Sequence, residues 1–146
     1  MSRVETMIFR QKGEATLPLP LSKLDTLLFY EDFKHFRKYM YQAIDKMPRW
    51  IKASEGMLCI KSIKQCLRYL SKIARAFGTN DKIVYIDKFL TEWDVVFDSI
   101  SFFFEVDGIS KHQRNVMLNL RSDLEDKISC YRVELVCKQK SENPKD

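Results

Sequence analysis

Residues 61–75 read KSIKQCLRYLSKIAR, with five bases, Lys61, Lys64, Arg68, Lys72 and Arg75, and no acid. Ile60, Ile63, Leu67, Leu70, Ala74 and Phe77 recur through this stretch at steps of three and four. That spacing is the period of an amphipathic helix, and its heptad-like regularity marks a seam made to pack against other helices. The stretch therefore predicts a helix with one side committed to a core and a polar side carrying charge of a single sign.

Working outward, this second helix starts between Trp50 and Gly56, after Pro48, and ends at Gly78-Thr79-Asn80, which also supplies a cap for the next helix. Upstream, Phe29, Phe33, Phe36, Met40, Ile44 and Met47 form the stripe of helix one, opened by a cap at Ser22 and Asp25 and stopped by Pro48. Downstream, Ile83, Ile86, Leu90, Trp93, Phe97, Ile100 and Phe104 define helix three, with Phe89, Val96 and Phe103 widening its apolar face. Asp107-Gly108-Ile109-Ser110 breaks the pattern. Ser110 and Gln113 then make a capping box for helix four, whose apolar side is Met117, Leu120, Leu124, Ile128, Tyr131 and Leu135.

Four amphipathic segments joined by short breaks predict an all-α, antiparallel up-down-up-down four-helix bundle over residues 22–137. Residues 1–21 end in Leu17-Pro18-Leu19-Pro20-Leu21 and read as an extended N-terminal arm, and residues 138–146 as a polar, frayed tail. A chain of 146 residues with only four glycines and four prolines suits one domain of long helices. Its N-terminus lacks a signal-peptide core, and no apolar run approaches a membrane span. The expectation is a cytoplasmic protein with no membrane contact.

Charge is unevenly distributed. Residues 46–80 hold eight bases and one acid, a net of +7, whereas residues 81–107 hold two bases and seven acids, a net of −5; the whole chain carries +5. On helix two, Lys61, Arg68 and Arg75 recur every seven residues and lie almost in line, with Lys64 and Lys72 flanking them. Arg49 and Lys52 extend the patch at its start; Lys111, Arg114 and Arg121 on helix four are weaker candidates. An ordinary solvated helix intersperses acids at spacings of three and four, and residues 56–80 contain none. Two counter-charges are available: a phosphate backbone, or the acids Asp87, Glu92, Asp94 and Asp98 of helix three, within the bundle or on a neighbouring subunit.

Other chemistry is sparse. His35 follows Glu31 and Asp32 at metal-ligand spacings, but a di-iron bundle needs that motif twice, and His112 has no acid three residues before it. Cys59 with Cys66, and Cys130 with Cys137, are each two helical turns apart, too far to bridge or to clasp one metal, and read as reduced helix-flank residues. With no phosphate loop or nucleophile elbow, no catalytic residue, metal or cofactor is assigned. Three adjacent phenylalanines, Phe102, Phe103 and Phe104, span about 200° of a helix, so one faces away from the core; Phe102 is the candidate for a subunit interface. Tyr39, Tyr41 and Trp50, near the turn between helices one and two, read equally as core or surface.

An aromatic first helix, the Pro48 stop with Gly56 eight residues on, a basic second helix ending near Ala74 and Ala76, and an Ile-Ser-x-x-Gln start to the last helix resemble a known four-helix-bundle family. It includes the accessory variability determinant of diversity-generating retroelements and the ribosomal-RNA intervening-sequence proteins. The resemblance covers about Phe29 to Leu135. It implies a small basic accessory subunit, a homopentamer with a central channel, that binds a reverse transcriptase and nucleic acid without being an enzyme. The residues alone leave a second reading open: a protein-interaction bundle whose basic helix docks the acidic helix of a neighbouring subunit.

Overall fold

The computed structural model describes residues 27–142. These residues are mostly helical, with no strand among them, and form four long helices. Helix α1 is Tyr30–Asp45. Helix α2, residues 49–75, consists of a short α-helical segment Arg49–Ile51, a π-helical turn Lys52–Gly56 and an α-helix Met57–Arg75. Helix α3 is Thr79–Glu105, and α4 is Lys111–Glu142. The expected arm, the Ser22–Asp25 cap and residues 143–146 lie outside the described residues. Helix α4 continues to Glu142, past the expected boundary at Cys137.

The breaks follow local chemistry. Pro48 ends the α1 pattern with extended backbone (ψ 148°) and offers its carbonyl to the amides of Ile51 and Lys52, both at 3.0 Å. The amide of Ser110 donates to Gln113 Oε1 at 2.8 Å, and the amide of Gln113 donates to Ser110 Oγ at 3.0 Å, the reciprocal capping box. At the end of α3, Gly108 donates to the Phe103 carbonyl at 2.7 Å and Asp107 donates to that of Phe104 at 3.2 Å, a Schellman closure. The left-handed residue there is Asp107 (φ 60°), a residue type that tolerates this region. Gly108 is needed for space, since a Cβ would lie 3.2 Å from both the Phe103 carbonyl and Ile51 Cδ1. At the start of α3, Gly78 holds the cap position and contributes no side-chain hydrogen bond. Lys82 donates from Nζ to the Ile73 carbonyl at 2.8 Å, satisfying one of the last carbonyls of α2.

Helix α2 packs most extensively against α3, and α4 packs against both α3 and α1. At the centre, Trp93 is fully buried, with ring centroids 4.6 Å from Phe36, 5.0 Å from Phe97, 5.4 Å from Phe89 and 6.1 Å from Phe33. The predicted stripe of α1 is buried throughout, from Phe29 to Met47.

The seam of α2 differs from the expected one. Cys59, Ile63, Cys66, Leu70 and Ile73 are fully buried, whereas Ile60 and Leu67 are half-buried and Phe77 is fully exposed beyond the helix end. Cys59 and Cys66 are therefore core residues, while Cys130 and Cys137 are exposed. A free cysteine packs as a small apolar residue, and with the cysteines counted the buried row keeps the alternation of four and three. On α3 the fully buried row runs through Phe89, Val96 and Phe103 rather than Leu90 and Phe104.

The π turn makes the two halves of α2 compatible. At about 100° per residue, an uninterrupted helix would put Ile51 about 80° away from Cys59. A π turn inserts about one residue's rotation and removes most of that offset. Ile51 and Cys59 accordingly both face the core. Gly56 closes the turn against α1, where an added Cβ would sit 3.0 Å from Ile44 Cγ2.

Candidate nucleic-acid interface

The corrected seam places the charge. At about 100° per residue, Lys61, Lys64, Arg68, Lys72 and Arg75 fall within an arc of about 80°, centred about 180° from the row Cys59, Ile63, Cys66, Leu70 and Ile73. All five are exposed. The cations thus occupy the outermost face of α2, opposite the core rather than beside it. The same π turn that buries Ile51 brings Arg49 into line with the row.

Partners distinguish the candidates. Arg68 donates to Gln65 Oε1 on its own helix at 2.9 Å, and Lys72 Nζ lies 5.5 Å from the Tyr85 ring centroid on α3. Lys52 is turned away, donating to the Asp45 carbonyl at 3.0 Å and lying 3.5 Å from its carboxylate. Among the described residues, no carboxylate lies within 4.0 Å of Lys61, Lys64, Arg68, Lys72 or Arg75.

Two of the acids of α3, Asp87 and Asp94, are engaged by α4 instead of by this row. Asp87 is bound by Arg132 of α4, and Asp94 lies 3.3 Å from Arg121 of α4. Arg121 also pairs with Glu125 at 2.7 Å and covers the Phe97 ring at 4.3 Å, and Arg114 covers Phe104 at 4.6 Å. These α4 arginines are thereby engaged within the fold. Glu92 is directed toward α2: it lines a shallow groove of about 350 Å³ with Glu55, Leu58, Lys61, Ser62, Gln65, Arg68, Val95 and Ser99.

The groove is tied to the core beneath it. Ser99, buried on α3, donates to Glu55 Oε2 in the π turn at 2.7 Å, so one carboxylate of the groove is held by a neutral donor. Under it, burial pushes the Cys59 thiol up to about 12; the Ser99 hydrogen bond opposes this and the Glu55 charge adds to it. Cys59 remains a thiol at neutral pH.

The remaining candidates separate cleanly. His35 is exposed and 3.9 Å from Glu31, while Asp32, its other possible co-ligand, is 2.9 Å from Lys127 of α4. Among the described residues, no group of three metal-ligating side chains converges. Phe102 is partly buried and packs against the core. Among the described residues the exposed large aromatics are instead Trp50, at 59%, and Phe77, at 100%, with Met57, Leu58 and Val95 as exposed aliphatic neighbours of the α2 face and groove. Sequence alone placed Phe77 in the seam, and only the helix end at Arg75 releases it. No helix among the described residues is long and apolar enough to cross a membrane. No protein-family model, curated protein or solved structure matches the chain, so the reading of this face rests on its own geometry.

Proposed function

We propose that this chain is a non-enzymatic, basic accessory protein of the cytoplasm that binds nucleic acid through the outer face of α2, without reading sequence. The observation that carries the reading is the row Lys61, Lys64, Arg68, Lys72 and Arg75, exposed opposite the core, with no acid on its helix from Gly56 onward and, among the described residues, no carboxylate within 4.0 Å of it, although Glu92 of α3 shares the groove with Lys61 and Arg68. An anion beside such a face relieves its like-charge repulsion, and a phosphate chain supplies charge along its whole length. The four helices run up-down-up-down in this proposal. The pairings Asp87 with Arg132, Asp94 with Arg121 and Phe104 with Arg114 support it, since the α4 partner number falls as the α3 number rises.

The resemblance of the Phe29–Leu135 pattern extends the proposal to a homopentamer serving a reverse transcriptase of the diversity-generating-retroelement type. Assembly by docking α2 on the acidic helix of a neighbour is the weaker reading, because Asp87 and Asp94 already have partners within the chain.

The test is the salt dependence of binding to a labelled duplex. Neutralising five phosphates gives a slope of log affinity on log salt of about −4 to −5. Replacing the five cations by Gln should bring the slope close to zero; a slope already near zero, or one unchanged by the replacement, overturns the reading. Mass measured in low and high salt without nucleic acid separates the rival, since a charge-docked oligomer dissociates in salt. Co-purification with a reverse transcriptase of that type tests the partner.

A further inference from the structure

We infer that the α2 face prefers single-stranded over double-stranded nucleic acid, because its row of cations is bracketed by two exposed aromatic rings, Trp50 and Phe77. The inference deepens the proposed function and rests on it. Trp50 lies beside Arg49 at the start of α2 with 59% of its surface exposed, and Phe77 lies two residues beyond Arg75 with its surface fully exposed. Large aromatic residues are usually at least part-buried, and among the described residues all but these two are: Trp93, Phe33, Phe36, Phe89 and Phe103 are fully buried. The two that escape sit at the two ends of the row.

The helical phase adds to this. With the π turn counted, Trp50 falls within about 20° of Leu58, which lines the α2–α3 groove beside Lys61. A strand whose phosphates follow the row can therefore set a base against Trp50 at one end and against Phe77 at the other. In a duplex the base faces are stacked on one another and neither ring can reach them. Cationic grooves that track a backbone between aromatic platforms are the general chemistry of single-strand recognition, and stacking on such rings is tolerant of base identity. An acidic protein segment would satisfy the cations but gives the rings no flat partner.

Tryptophan emission tests this directly, since Trp50 is exposed and Trp93, the only other tryptophan, is fully buried. Oligo(dT) and oligo(U) dodecamers, and a duplex of equal phosphate count, are titrated into the full chain. Single strands should quench the exposed tryptophan and the duplex should not. Trp50→Ala and Phe77→Ala should each weaken single-strand binding by about 5- to 150-fold, the range for loss of one stacked base, while leaving duplex binding within about twofold. Trp50→Phe keeps a ring and should restore most of the affinity. Thermal unfolding of each variant controls for folding, as both residues are on the surface.

Equal affinity for the two forms, or single-strand binding indifferent to both alanine variants, overturns the inference. So does quenching by poly-glutamate as strong as by the single strands, which would assign the face to a protein partner. If neither strand form binds at all, the proposed function fails first and the inference with it.

Discussion

Arg132 of α4 holds Asp87 of α3 through two N–H donors, Nε at 2.9 Å from Oδ1 and Nη2 at 3.2 Å from Oδ2. This pair, with Arg121 and Asp94 further along, directs acids of α3 toward α4 and leaves the cations of α2 without them.

Asp87→Asn tests that division. Both side chains are more than a third exposed, so the pair contributes about 1 kcal/mol or less to stability. Urea unfolding should show a loss of that size, with oligonucleotide affinity and solution mass unchanged. Loss of assembly in this variant would favour docking of α3 on a neighbouring α2.

Gly56→Ala should destabilise the chain although alanine is the better helix former by about 1 kcal/mol. The added methyl would meet Ile44 Cγ2 at 3.0 Å and the Ile51 carbonyl at 3.2 Å, and Ile44 is almost fully buried and cannot yield. A net loss of about 1–2 kcal/mol is expected from overpacking. Chemical denaturation measures it.

Trp93→Ala should cost about 3–5 kcal/mol, since it empties the contact shared by Phe33, Phe36, Phe89 and Phe97. Trp93→Phe should cost clearly less. The indole Nε1 has no hydrogen-bond partner among the described residues, so phenylalanine forfeits volume but no polar contact. Equal losses in the two variants would show that the indole N–H contributes.

The thiols should divide into two classes. Cys130 and Cys137 are exposed and should react promptly with a thiol reagent under native conditions, whereas Cys59 and Cys66 should react only on unfolding. Burial raises the pKa of both core thiols, that of Cys59 to about 12 from a usual value of 9.0. The unfolded chain therefore releases its thiol protons first as pH rises. Stability due to these groups is fully present below pH 9 and falls as pH climbs toward 12, and the part-buried Tyr41 and Tyr131, also raised by burial, act in the same direction. Denaturation midpoints between pH 8 and 11 should decline, and replacing both core cysteines by alanine should flatten that decline.

Much of this was legible from residue order. The periodic stripe of α1, that of α4 apart from the only partly buried Leu120 and Tyr131, the stop at Pro48 and the Ser110–Gln113 capping box stand where the sequence places them, since each follows from spacing or from contacts within a few residues. The identity of the basic row was equally plain, because charge can be counted. Its direction was not. Apolar residues on α2 spread over more than one strip, and periodicity could not choose between Ile60 with Leu67 and Cys59 with Cys66.

The sequence by itself determined that the chain is helical, where most of its helices begin and end, and that one helix carries more than the whole of the excess charge. Tertiary structure decided what those charges face. The breadth of the α3 aromatic surface selected the cysteine row as the buried seam, which turned the cations of the same α-helix outward, opposite the core, and the need to bury Ile51 along with that row called for the π turn. The pairing of Asp87 and Asp94 with α4 and the release of Phe77 at the end of α2 likewise depend on which helices meet, a long-range property that no local spacing encodes.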